Sequence, residues 1–370
     1  MNDPGDVRSS PAGTPLLMTP GPTRVPERVL RAGCRVLHHR TPEFSDALEE
    51  LLVLVRPWFG TRQADVLPLH ATGRAGMEGA ITNFFSPGDP VVVCCNGKFG
   101  EMWASFAELY GLAVRRVCED WDASVDPAAV AAALDDTNAV AVLMAHSDTS
   151  TGVLNPVAAV AAEAHERDAL IMVDGISSVA GTPFEFDGWG LDFAVTSSQK
   201  CLMSSPGLAL AVVGERAWSR AEASSLPSAY LNFGAIRSTL ARPRAETPGT
   251  TPVSLVFQVL EALRLLDEEG RDAVFDRHQA MARATRAVAE ELGFSLQGPA
   301  IVDRSPTLTA MTLPETISPA DVRAHMRAAG IQIAGGLGSF GSRCVRIGHM
   351  GDIRMPDLEE TLVAFRRAVG

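Results

Sequence analysis

The sequence predicts an α/β protein, with a large, mostly parallel sheet domain followed by a smaller C-terminal α+β domain. Apolar strand-like runs alternate with helix-like segments from about residue 65 to 213, the pattern of parallel strands joined by crossover helices. Several of those runs stop at short polar turns, where such sheets bind their ligands. From Val253 onward the chain changes to long amphipathic helices with a few strand-like runs. At 370 residues it is long enough for two domains. We expect an arm over 1–15, a large domain over 16–270 and a small domain over 271–370.

Composition narrows the function classes. A net charge of −12 and a pI near 5.2 argue against nucleic acid or an anionic membrane as the main partner. No apolar run approaches the length of about 18 residues that spans a bilayer. Residues Met1 to Pro15 lack a basic-then-apolar signal pattern, so a cytoplasmic location is expected. The six cysteines, Cys34, Cys94, Cys95, Cys118, Cys201 and Cys344, show no CxxC spacing and no nearby histidine, so no metal site is expected. They read as reduced core or near-site thiols, with Cys201 the one closest to chemistry.

Along the chain, Leu16-Leu17-Met18 leads into the rigid turn Pro20-Gly21-Pro22. A helix-like stretch spans Pro26 to Val36, and the spacing of Leu48, Leu51, Leu52 and Val55 predicts a helix over 45–59. Asp65 to His70 reads as a strand, followed by Thr72-Gly73-Arg74-Ala75 and a helix through Ile81 and Phe84. Small residues opening a helix leave backbone N–H groups and the positive dipole end free for a phosphate, although an ordinary loop has the same look. Strands are predicted at Val91 to Cys95, Ala113 to Val117, Ala139 to Ala145, Ala169 to Val173, Phe193 to Val195 and Gly207 to Val213. Helices are predicted over Asp126 to Leu134 and Pro156 to Arg167. In the C-terminal part, helices are expected over 253–269, 272–292, 319–329 and 356–369, with strands over 307–312 and 344–347. His146, Asp174 and the turn Thr196-Ser197-Ser198-Gln199-Lys200 all fall at strand ends, and so at one edge of the sheet.

Lys200 stands out by scarcity. Of 32 lysines and arginines only two, Lys98 and Lys200, are lysines. A surface charge is served by arginine, whereas a Schiff base needs an amine that can deprotonate. Lys200 is therefore either a carbonyl-binding amine or a surface residue that escaped the arginine bias. Asp174, at the end of an earlier apolar strand, is what a pyridoxal phosphate site needs beside such a lysine. The lysine takes the aldehyde, and the carboxylate keeps the ring nitrogen protonated so that the ring can accept electrons.

The sequence resembles the class V, fold-type I pyridoxal-phosphate aminotransferases over about residues 16 to 369, in the alanine–glyoxylate, serine–pyruvate and 2-aminoethylphosphonate branch. The likeness rests on Pro20-Gly21-Pro22, Asn96-Gly97-Lys98-Phe99-Gly100, His146-Ser147-Asp148-Thr149-Ser150-Thr151-Gly152, Val173-Asp174, Ser198-Gln199-Lys200, Gly335-Gly336-Leu337-Gly338 and Arg346-Ile347-Gly348-His349-Met350-Gly351, in that order. It implies pyridoxal 5'-phosphate as cofactor, Lys200 as the Schiff-base lysine and proton shuttle, and Asp174 as the pyridinium partner. It further implies Gly73, Arg74, Ala75 and Gln199 at the phosphate, Phe99 on the ring, and Ser150 or Thr151 at the phenolic oxygen. Arg346 would hold the substrate carboxylate in a bidentate pair. Thr250 would reach the phosphate of a neighbouring subunit, which implies a homodimer with shared sites.

Three positions depart from the family pattern. Thr247 stands where the family has tyrosine, Asp148 where Glu is common, and Arg74 where a small residue or His is common. The expected function is amino transfer from a small amino acid to a 2-oxo acid of the glyoxylate or pyruvate type, by a ping-pong cycle. A lyase or decarboxylase on the same fold is the alternative. A non-catalytic binding protein would be expected to lack the lysine, the aspartate or the arginine, and all three are present.

Overall fold

Short runs of Val, Leu, Ile and Ala flanked by turn residues build two large sheets, beside one small two-stranded hairpin, in the structure, a computed structural model that describes residues 14–117, 120–121, 123–298 and 304–370. Most of the expected arm and Cys118 lie outside the described residues. In chain order the strands are β1 Leu16–Met18, β2 Asp65–Leu69, β3 Pro90–Cys94, β4 Ala113–Val117, β5 Ala141–Ala145, β6 Ser147–Asp148 and β7 Val153–Leu154. They continue as β8 Leu170–Asp174, β9 Phe193–Ser197, β10 Ala209–Val213, β11 Ser295–Leu296, β12 Leu308–Thr312, β13 Ile331–Gly335 and β14 Cys344–Gly348.

The main sheet runs β2-β10-β9-β8-β5-β3-β4. Its pairs are parallel from β4 across to β9, and only β10 runs antiparallel, to both β9 and β2. The β9–β10 pairing, Ser197 against Ala209, makes the lysine turn the loop of a hairpin and holds it at the carboxyl edge of β9. Both sheet faces are covered. Val92 and Cys94 enter one apolar cluster with helices Pro42–Phe59 and Val253–Glu269, while Val91 and Val93 enter another with helices Gly73–Phe84 and Lys98–Leu109. This double burial explains why the strands read as continuous apolar runs rather than alternating ones.

The second sheet runs β1-β13-β14-β12-β11 and has its own core around Met18, Met311, Val345, Ile347 and Phe365. Here the sequence-based boundary needs correction. Leu16–Met18 pairs in parallel with Ile331–Ile333 and belongs to the C-terminal sheet, not to the large domain. A three-residue strand cannot stand alone, and the edge of β13 completes it. Three α-helices have no counterpart among the predicted elements, Lys98–Leu109, Glu215–Ala221 and Phe233–Leu240. Helix Pro42–Phe59 starts earlier than predicted, because Thr41 accepts from the Phe44 amide and Pro42 occupies the first helical position.

Candidate active site

The carboxyl edge of the main sheet opens into a cavity of about 260 Å³ whose wall includes Lys200, Asp174, Phe99, Arg74, Gln199 and Ser147. Lys200 enters it from the β9–β10 loop, under a clamp made by the N-terminal turn. Its Nζ donates to the Pro20 carbonyl, the Thr23 amide donates to the Gln199 carbonyl at 3.1 Å, and Thr23 Oγ1 donates to the Lys200 carbonyl at 3.3 Å. Gly21 makes this fit possible. Its φ of +95° lies in the left-handed region, and a Cβ there would stand 2.4 Å from Lys200 Cδ and 2.7 Å from Nζ.

Burial sets the electrostatics. It pulls the Lys200 amine down to about 8, against a smaller upward pull from Asp174. It pushes the Asp174 carboxyl up to about 7, although the Ile176 amide, donating to Oδ1 at 2.8 Å, holds the charged form. An amine that is partly neutral near neutral pH and a carboxyl poised at its titration point therefore share one cavity, a pairing typical of functional sites.

The start of helix Gly73–Phe84 faces the same space. The Gly73 amide donates to Ser197 Oγ at 3.1 Å, and Ser197 in turn donates to Gln199 Oε1, so the helix start and the lysine turn are tied together. A Cβ on Gly73 would press to 2.5 Å from Ile176 Cδ1, so glycine lets the helix approach the sheet. Ala75 donates back to the Thr72 carbonyl, and the Arg74 guanidinium lies 5.3 Å from the centre of the Phe106 ring. Phe99 comes from the start of helix Lys98–Leu109.

Asp148 builds that start. Its fully buried carboxylate accepts from the Phe99 amide at 2.8 Å and, through Oδ1, from the Ser150 amide at 2.9 Å and Oγ at 2.6 Å. Ser150 Oγ then accepts from the Lys98 amide at 2.9 Å. Asp148 and Ser150 thus cap a helix that has no side-chain cap of its own. Ser150 and Thr151 are both buried in the β6–β7 hairpin, and neither lines the cavity.

Other strand-end residues divide similarly. His146 turns away from the cavity, with its ring 5.5 Å from Phe184 and 5.3 Å from Trp189, and burial lowers its pKa to about 3, so it is a neutral core residue. The alternating direction of side chains at a strand end separates it from Asp174. Cys201 is buried against Gly181, and burial pushes its thiol up to about 12, which removes it from nucleophilic chemistry.

Arg346 on β14 is buried, donating from Nε to the Gly335 carbonyl at 2.7 Å and from Nη1 to the Thr149 carbonyl at 2.6 Å. Its Nη2 has no acceptor among the described residues, and burial lowers its pKa to about 10. Thr250 is exposed and lines a separate cavity of about 290 Å³ with His70 and Tyr230. Thr247 is buried and donates to the Gly249 carbonyl at 2.8 Å. Ser147, on the cavity wall, carries no signal in the sequence that sets it apart from its neighbours.

The family model described as aminotransferase class-V matches residues 18–355. The chain is 38% identical over 350 residues to a Synechococcus protein named soluble hydrogenase, small subunit, covering 93% of this chain and 90% of that one. It is 33% identical over 344 residues to the L-aspartate–glyoxylate aminotransferase of Paracoccus denitrificans, covering 91% and 86%. Among solved structures it superposes on an alanine–glyoxylate aminotransferase from Nostoc sp. with a TM-score of 0.92 at 28% identity, covering 100% and 97% of the two chains. Among the described residues, no group of three or more His, Cys, Asp or Glu side chains is placed to hold a metal ion, and no helix is long and apolar enough to cross a membrane.

Proposed function

This chain belongs to the class-V aminotransferase family, and on that footing we propose that it moves the amino group of a small amino acid to a 2-oxo acid of the glyoxylate or pyruvate type. The observation that carries the reading is the pairing of Lys200 and Asp174 in one cavity, with burial moving their titrations toward each other. When bound, pyridoxal phosphate supplies an aldehyde for an amine and a ring that accepts electrons from the substrate Cα. The donor set suits that group. The start of helix Gly73–Phe84 with Gly73, Arg74, Ala75 and Gln199 would hold the phosphate, Asp174 the ring nitrogen and Phe99 the ring face.

Lys200 does the proton work. Above about pH 8 its amine is neutral, and so both nucleophilic and able to take up a proton from a substrate bound in the cavity. Asp174, as a carboxylate, keeps a proton on a basic ring nitrogen beside it. Arg346 takes the substrate carboxylate with its free Nη2, while the Thr149 and Gly335 carbonyls hold the guanidinium plane. Thr250, exposed and away from the Lys200 cavity, suits a contact made to a second copy of the chain, and we propose a homodimer on that ground. Cys34, Cys201 and Cys344 are free thiols, which suits the reducing cytoplasm.

A half-reaction screen tests the reading. Protein loaded with pyridoxal phosphate is mixed with single amino acids, and its visible absorption and the keto acid released are followed together. Loss of the band with stoichiometric keto acid is the expected result for at least one small donor. If substrates decay while the band returns unchanged and no amino group stays on the protein, a lyase or decarboxylase reading replaces this one.

A further inference from the structure

A run of hydroxyls leaves the cavity wall at Ser147 and returns to it at Ser177 by way of Ser305 and Thr307. Ser147 Oγ donates to Ser305 Oγ at 2.8 Å, Ser305 Oγ and Thr307 Oγ1 are 2.9 Å apart, and Thr307 Oγ1 donates to the Ser177 carbonyl at 2.9 Å. Ser147 and Ser177, the two ends, both line the cavity that holds Lys200, and the hydroxyl-bearing members Ser147, Ser305 and Thr307 are buried. Each hydroxyl has one proton to give. The Ser177 carbonyl can only accept, so Thr307 must give its proton there and receive one from Ser305. Ser305, which also accepts from the Thr307 amide at 3.3 Å, must then receive its other bond from Ser147. The polarity of the whole run is fixed by its carbonyl end. Ser147 has spent its only proton inside the wall and has nothing but lone pairs left for a ligand.

From this run we infer that Ser147 is a specificity-determining residue. It offers a bound amino acid an acceptor and no donor, so the site prefers side chains ending in a hydroxyl or N–H over apolar ones of the same size. Ser305 and Thr307 are positioning residues that act through Ser147 by fixing where its proton points. The inference rests on the reading of this cavity as the amino-acid site. A side chain that cannot donate leaves the Ser147 oxygen dehydrated and unpaired, which is costlier than forgoing a bond in water.

The test compares L-serine with L-2-aminobutyrate, which replaces the hydroxyl by a methyl group. Dissociation constants for both come from the shift each produces in the visible absorption of the pyridoxal-phosphate-loaded protein, independently of turnover. Half-reaction rates are measured alongside. The wild type should favour serine by about 3- to 10-fold, the weight of one neutral hydrogen bond. Ser147→Ala should bring the ratio close to one. Thr307→Val keeps the shape of the chain but frees Ser305 and Ser147 to reorient, and should give an intermediate ratio. Retained melting temperature and cofactor absorption show that each variant is folded. Equal binding of the two ligands by the wild type, or a serine preference that survives Ser147→Ala, overturns the inference. A Thr307→Val ratio equal to wild type overturns the polarity argument. If both ligands bind with the expected ratio but neither loses its amino group, the transamination reading fails while the specificity inference stands.

Discussion

Gly21→Ala and Gly88→Ala form a matched pair that isolates what the lysine clamp contributes. Both glycines have positive φ, +95° and +88°, so each alanine carries a similar backbone strain of roughly 1–2 kcal/mol. Their surroundings differ. A Cβ at Gly88, in the turn that precedes β3, meets nothing within 4 Å, whereas one at Gly21 falls 2.4 Å from Lys200 Cδ, 2.6 Å from Cε and 2.7 Å from Nζ. Ordinary contact begins near 3.4 Å, so the lysine side chain must retreat by about 1 Å. A displacement of that size at the reacting amine costs about 100-fold in rate, or roughly 2.7 kcal/mol of transition-state stabilisation. Urea unfolding should therefore report a similar loss of stability in the two variants. Steady-state kinetics should separate them, with Gly88→Ala near wild type and Gly21→Ala about 100-fold lower in kcat/KM. Borohydride trapping of pyridoxal phosphate on Lys200 should be slowed in the second only. A Gly21→Ala enzyme within threefold of Gly88→Ala would refute the clamp.

The remaining expectations concern charge and capping. The folded-state pKa of Asp174 is raised to about 7, so its contribution to stability is present in full below its unfolded value and is lost as pH rises through 7. For Lys200, lowered to about 8, the cost is present below 8 and disappears at high pH. Cofactor-free Asp174→Asn should consequently be more stable than wild type at pH 8, by about 1–3 kcal/mol, with the gap closing towards pH 4 in denaturant titrations. Asp148→Ala strands the Phe99 and Ser150 amides and the Ser150 hydroxyl, and should lose about 2–4 kcal/mol in the same assay. Arg346→Lys cannot serve the Thr149 and Gly335 carbonyls and a carboxylate together, and should raise KM for the amino donor about 10- to 100-fold.

What the sequence made legible follows physical range. Lys200 and Asp174 were readable because each ends an apolar strand, and parallel sheets bring such ends to one edge. The same rule put His146 there, but position at a strand end does not say which way a side chain points, and an aromatic pocket took the imidazole. Ser150 was readable as near the site, but its bonds to Asp148 and the Lys98 amide were not, because they depend on a helix that had no predicted counterpart. That helix begins Lys-Phe-Gly-Glu, with a glycine in its first turn and no capping residue of its own; its cap comes from Asp148, some 50 residues away in the chain. Helix Phe233–Leu240 has a cap of its own in Asn232 and was hidden for another reason: its short amphipathic pattern lies among Ser, Arg and Pro. The pairing of Leu16–Met18 with β13 joins residues more than 300 apart, which no local pattern can report.

Those long-range contacts matter most for chemistry. The lysine turn is held from above by residues 20–23, and the backbone just before them packs against the C-terminal sheet, where a Cβ on Gly348 would stand 2.2 Å from the Thr19 carbonyl. Gly348 follows Arg346 by two residues on β14, so the lysine turn and the strand that carries Arg346 both contact the same N-terminal segment. With β1 also paired into the small sheet, any movement of that sheet against the large one is transmitted to the Pro20 carbonyl that receives the Lys200 amine. Separation between the amine and Arg346 is therefore set by one short segment rather than by the bulk of two domains. A substitution that loosens β1, far from any reacting atom, should act on kcat and KM together, as a change in the distance between the two ends of the substrate must.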